Sequence, residues 1–237
     1  MKHAYEILLS LRYTGSLSVD TMLREMWQFT RHLERLSPNL NEWLLAGETK
    51  EAALLYEVFE HDGPTTAATA VLEADLKGKV DPRCIAIWNG KEGHEGASLQ
   101  FIGRPAQYLS LVTFVGRPKS FASDWRAVAE VLAAGVAIWA PNYISVESNG
   151  YDEHKTFKDR PGIGWMLYLP KVLTVQQVPE ARALVPVLGA DKKPIGTIVV
   201  SVTDAPFSDE NPEHVKIANA IEIRLVDQDL LPRYTNL

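Results

Sequence analysis

The chain has 237 residues, 46% of them hydrophobic and 23% charged, with a net charge of −6. These are globular proportions: they exclude a disordered or fibrous protein, and the length suffices to bury a sizeable core. The single cysteine, Cys84, excludes an internal disulfide, and the acidic balance disfavours nucleic acid and anionic membranes while suiting a basic partner.

The first strand is marked by Tyr5, Ile7, Leu9, Leu11 and Tyr13, which alternate with Glu6, Ser10 and Arg12 before Thr14-Gly15-Ser16 breaks the pattern. Its apolar run Ile7-Leu8-Leu9 is too short and too mixed for an export signal. No stretch approaches the roughly 20 apolar residues of a membrane span, so a soluble, cytoplasmic protein is expected. Ser18 then reads as the N-cap of a long helix whose stripe is Val19, Met22, Leu23, Met26, Thr30, Leu33 and Leu36, stopped by Pro38.

Residues 49–78 read as irregular helix. Ala52, Leu55, Tyr56 and Phe59 have helical spacing, His61-Asp62-Gly63-Pro64 interrupts, and an Ala-rich piece runs from Thr65 to Lys77 before Gly78. Strands follow at Cys84–Trp88, Ser98–Gly103 and Tyr108–Val115, with turns at Asn89-Gly90 and Arg104-Pro105. Ser123 reads as the cap of a helix with Trp125, Val128, Leu132, Val136 and Trp139 on one face, closed by Pro141.

A strand at Tyr143–Glu147 leads through Asn149-Gly150 into a polar segment from Asp152 to Pro161, and Gly164–Pro170 is the next strand. Ala183–Leu188 and Ile195–Val202 flank the turn Gly189–Pro194 as a hairpin. The last helix has Asn211 as N-cap, Pro212 at its first position and a buried stripe of Val215, Ala218, Ile221 and Leu225. This order of elements predicts an α+β fold, a mixed, mainly antiparallel sheet with helices packed on it, in a single domain over residues 1–237.

The motifs of catalysis are missing from the pattern. The glycines of Gly90-Lys91-Glu92-Gly93-His94-Glu95-Gly96 lack nucleotide-binding spacing and precede a strand, so the segment reads as a hairpin loop. None of the six histidines, His3, His32, His61, His94, His154 and His214, forms a ligand pair. Cys84 sits in the apolar run Cys84-Ile85-Ala86-Ile87-Trp88 and reads as a buried, inert thiol. No catalytic, cofactor-binding or metal-ligating residue is expected. The alternatives are a small hydrolase or nucleotide-binding enzyme whose histidines and carboxylates converge only in space, and a scaffold for some other protein. Among the tryptophans, Trp125 and Trp139 read as core, and Trp165 is the candidate for an exposed interface anchor.

Several stretches in order resemble the immunity protein 52 family. They are Leu11-Arg12-Tyr13-Thr14, Leu33-Glu34-Arg35-Leu36, Asn41-Glu42-Trp43-Leu44, Ile87-Trp88-Asn89-Gly90, and Asp159-Arg160-Pro161 followed by Gly164-Trp165-Met166-Leu167-Tyr168-Leu169-Pro170. The tail, from Ala218-Asn219-Ala220-Ile221 to Leu230-Leu231-Pro232, completes the series. The resemblance implies a partner, not a reaction: such proteins bind a cognate nuclease toxin, often a restriction-endonuclease-like effector of type VI secretion, and protect the producing cell. It implies no catalytic residues. Inhibition by covering the toxin's active site and inhibition by blocking its assembly both remain open.

A nuclease must present cationic surface to hold phosphates, and an acidic partner complements it. The candidate contacts are Glu147, Asp152, Glu153 and Asp159 in and before the polar segment, Asp204, Asp209, Glu210 and Glu213 near the last helix, and Trp165 as the anchor.

Overall fold

A computed structural model describes residues 4–47, 55–79, 81–117, 119, 121 and 123–237. The chain divides into two compact units, Ser10–Ala122 and Met1–Leu9 with Ser123–Leu237. The expected α+β class holds: helices and a mainly antiparallel sheet are combined in it.

Strand β1 is Tyr5–Leu11. In the middle unit, α1 (Val19–Leu33) starts where Ser18 Oγ accepts from the Thr21 amide. The helix ends earlier than its stripe suggested, because Leu36 N turns back onto the Leu33 carbonyl at 2.8 Å. A 3-10 turn, Pro38–Leu40, follows. β2 (Leu44–Leu45) pairs antiparallel with β5 (Arg83–Trp88), which pairs with β6 (Ala97–Gly103), which pairs with β7 (Ser110–Gly116). One face of this ladder carries Ile85, Ile87, Leu99, Phe101, Val112 and Phe114, all buried. A Cβ on Gly103 would stand 3.1 Å from Met22 Cε, so α1 lies directly on β6.

The helical expectation for 49–78 is partly corrected. Residues 48–54 lie outside the described residues. Phe59–Glu60 (β3) and Gly63–Pro64 (β4) form a small hairpin instead of a helical turn. The reason is backbone pairing: Leu45 N donates to the Tyr56 carbonyl and Val58 N to the Trp43 carbonyl, extending the chain beside β2. Helix α2 (Thr66–Asp75) then starts with Thr65 as cap. Cys84 is also corrected. It is exposed, on the opposite face from Ile85 and Ile87, and its Sγ accepts from Gln100 Nε2 at 3.2 Å. The strand's period of two sends it outward although its neighbours are apolar.

In the other unit, α3 (Trp125–Trp139) is capped by Asp124, not Ser123: Asp124 Oδ1 accepts from the Arg126 amide at 3.0 Å. Trp139 is buried as expected, but Trp125 is half-buried with the Arg126 guanidinium over its ring. β8 (Tyr143–Ser148) leads into a four-residue helix, α4 (Tyr151–His154). β9 (Met166–Leu169), β10 (Ala183–Leu188) and β11 (Pro194–Val200) follow. The strand order here is β10-β11-β9-β8-β1, with β10–β11, β11–β9 and β8–β9 antiparallel.

The last helix, α5 (Pro212–Asp227), is capped by Asn211, whose Oδ1 accepts from Glu213 N at 3.0 Å. Its buried positions are Ala218, Ile221, Glu222 and Leu225, while Val215 is only half-buried. No helix among the described residues is long and apolar enough to cross a membrane.

Candidate functional site

The expected acidic contacts near the last helix converge on the N-terminal half of α5. The segment before it, Asp204–Glu210, is held by Phe207, which is fully buried. Tyr5 Oη donates to the Phe207 carbonyl at 2.9 Å, and the Phe207 ring meets Tyr151 edge-on at 5.2 Å. Ser208 N donates to His214 Nδ1 at 3.0 Å, tying the segment to α5 itself. Burial lowers the His214 pKa, with Asp204 working the other way, so the ring stays neutral and can accept that bond.

Two hollows result. One, of about 870 Å³, lies on the outer face of α5. Its floor is apolar, from Pro212, Val215, Ala220 and Ile223, and Asp209, Glu210 and His154 stand around it. Ile223, on this floor, is 45% exposed. The other hollow, of about 540 Å³, is polar and takes in Asp204, Glu213, His214 and Arg182. Asp209 and Glu210 thus border the first hollow, and Asp204 and Glu213 the second.

The remaining candidates fall elsewhere. Asp152 and Glu153 are exposed on α4, two residues and one residue before His154. Asp152 Oδ1 meets Lys155 Nζ at 3.2 Å. Asp159 is drawn to the chain's tail, pairing with Arg233 at 3.3 Å while its carbonyl accepts from Tyr234 N at 2.9 Å. Trp165 is corrected. It is fully buried, its Nε1 donates to the Val202 carbonyl at 2.9 Å, and its ring lies 5.6 Å from Tyr5, so it is a core residue and no surface anchor. Because β9 is buried on both faces, the Gly-Trp strand has no outward side.

Glu147 is half-buried, at the end of β8. Burial pushes its carboxyl up to about 7, opposed by Lys155 and reinforced by Glu6, Glu222 and Asp152.

Beneath this surface lies a polar network that sequence reasoning missed. Glu222, 1% exposed, accepts from Tyr151 Oη at 2.7 Å and from the Ile163 amide at 3.2 Å through Oε1, and from the Thr156 amide at 2.8 Å through Oε2. One carboxylate therefore ties the polar segment to α5. Burial, with Glu222 beside it, raises the Tyr151 pKa, so the phenol stays a neutral donor. Lys155, 7% exposed, donates to Tyr234 Oη at 3.1 Å; burial opposes its charge, but Tyr234, Glu147 and Asp152 outweigh it and the net shift is upward. The available signal was a lone carboxylate at Glu222, four residues after Ala218 and beside Ile221 on the apolar stripe. These groups hold the backbone. Among the described residues, no three or more His, Cys, Asp or Glu are gathered to hold a metal.

The motif residues have structural work. Asn89, buried, donates through Nδ2 to the carbonyls of Asn39 and Glu95 and accepts the Ala97 amide at 2.8 Å, which shapes the β5–β6 connection. Arg160 donates to the Leu231 carbonyl, joining the Asp159-Arg160-Pro161 and Leu230-Leu231-Pro232 stretches.

The chain is a mixed α+β protein in which several of the family-resembling stretches brace the structure and four carboxylates border two hollows along α5. Residues 14–233 match the profile of Immunity protein 52, and the chain belongs to that family. Its fold is similar to that of the Pseudomonas aeruginosa T6SS protein PA0821, at 10% identity and a TM-score of 0.52 over 92% of this chain and 75% of that one. No curated protein matches it.

Proposed function

We propose that this chain is an immunity protein that binds a cognate nuclease toxin and neutralises it stoichiometrically in the cytoplasm, without catalysis of its own. The toxin is read as a restriction-endonuclease-like effector delivered by type VI secretion. Family membership carries the immunity role, and the match spans both compact units, which supports one functional domain over residues 1–237. The fold likeness to a T6SS protein supports the delivery route. The acidic side chains at α5, on a chain of net charge −6, supply the complement to the cationic surface a nuclease needs.

The test is co-expression with the toxin encoded by the neighbouring gene. The reading expects a complex that survives gel filtration, DNA cleavage abolished near one equivalent, and association that slows as salt rises. Full nuclease activity at saturating immunity protein would sink it.

A further inference from the structure

We infer that the hollow on the outer face of α5 is the docking groove for a basic, amphipathic segment of the toxin, which inserts an apolar side chain between Val215, Ala220 and Ile223 while its lysines or arginines meet Asp209 and Glu210. This rests on the immunity reading and specifies which surface is used and what chemistry it recognises.

The argument starts from the helix pattern. An α5 that only closed the core would be apolar on one stripe and charged on the other. Its stripe is complete without the groove residues: Ala218, Ile221 and Leu225 are fully buried. Yet the outer face carries Pro212, Val215, Ala220 and Ile223, and these form the floor of a concave space of about 870 Å³. Pro212 and Ile223 are exposed and Val215 and Ala220 only half-buried, so the fold leaves part of this apolar lining open to solvent. They mark a surface that is covered when a partner arrives.

The rim states the partner's charge. Asp209 and Glu210 stand at the end of the groove beside the N-terminus of α5, with Asp152 and Glu153 just before His154 on the neighbouring turn. The positive group in the lining, Lys216, lies 3.6 Å from Glu213, so its charge is matched within α5. An acidic segment would face this rim at close range; a basic one would be steered to it. An apolar floor inside an acidic rim matches the general anatomy of an anchor pocket with a polar border.

The experiment uses the full chain and two probes, the neighbouring-gene toxin and a synthetic helical peptide with leucine on one face and lysine on the other. Ile223→Glu puts a charge on the floor, and Ile223→Ser is the milder second variant. Both alter a 45% exposed side chain, and their melting curves check the fold. Either change is expected to weaken peptide and toxin binding about tenfold. Glu210→Lys is expected to weaken both about threefold, mostly through the on-rate, whereas Glu73→Lys, the same charge change on α2, leaves them unmoved. A peptide with serine for leucine should bind about tenfold more weakly than the parent.

Undiminished toxin affinity in folded Ile223→Glu would overturn the groove while leaving the immunity role standing. Equal binding of the leucine and serine peptides would overturn it as well. Failure of the unaltered chain to inhibit the toxin would sink the immunity role, and the peptide series would still judge the groove.

Discussion

Tyr151 Oη donates to Glu222 Oε1 at 2.7 Å across 71 residues of sequence. This bond, with the Thr156 and Ile163 amides on the same carboxylate, makes α5 and the polar segment one unit of structure. The surface that displays Asp209 and Glu210 therefore depends on a buried charge behind it.

Removing that carboxylate should be costly. Glu222→Ala takes the shared acceptor from the Thr156 and Ile163 amides and leaves Asn219 Oδ1, at 3.3 Å, to the Tyr151 phenol, an expected loss of about 2–3 kcal/mol. Glu222→Gln keeps one acceptor oxygen and should lose about 1–2 kcal/mol. Urea unfolding of the two variants beside the parent gives both values, and an alanine variant of unchanged midpoint would refute the account.

Glu147 sets a pH dependence. Its folded value, about 7, lies above the ordinary 4.5, so the folded state holds a proton that the unfolded chain has lost. Its contribution is fully present below pH 4.5 and is lost as pH rises through about 7. Stability should fall across that window by about 1–3 kcal/mol, and Glu147→Gln should flatten the decline. Glu6, also raised by burial, adds to the same slope, so the glutamine variant removes most of it and not all. Melting temperatures measured from pH 4 to 8, with and without the substitution, decide it; parallel curves would count against Glu147.

Gly164 has φ +47°, and a Cβ there would lie 2.7 Å from the Val146 carbonyl oxygen. Gly164→Ala combines left-handed strain of about 1–2 kcal/mol with a backbone clash, so the loss should exceed about 2 kcal/mol. Gly93 shares the positive φ, at +61°, but a Cβ there meets nothing within 4 Å, so Gly93→Ala should show the strain alone. Equal losses would mean that the contact with β8 is unimportant.

Cys84 should be open to reagents in the folded protein, since it lies exposed on β5. One equivalent of an aromatic disulfide reagent should be consumed under native conditions at the rate of a free thiol. Cys84→Ser should abolish the reaction and shift stability by no more than about 0.5 kcal/mol. Reaction only after urea is added would place the thiol inside.

Local chemistry made much of the fold readable. The period of two in β1, the stripe of α1 and the Ser18 and Asn211 caps act over a few residues, so the sequence alone determined those elements, and the order of its short motifs pointed to the family. Asp204, Asp209 and Glu210 were legible as charges flanking a helix. Only the tertiary structure decided that they border two hollows, that Asp159 is spent on Arg233, and that Trp165 is interior. It alone placed Glu222 opposite Tyr151 and turned Cys84 outward. Periodicity records which way a side chain points from its own backbone. What stands in front of it is set by segments tens of residues away, and no local pattern carries that information.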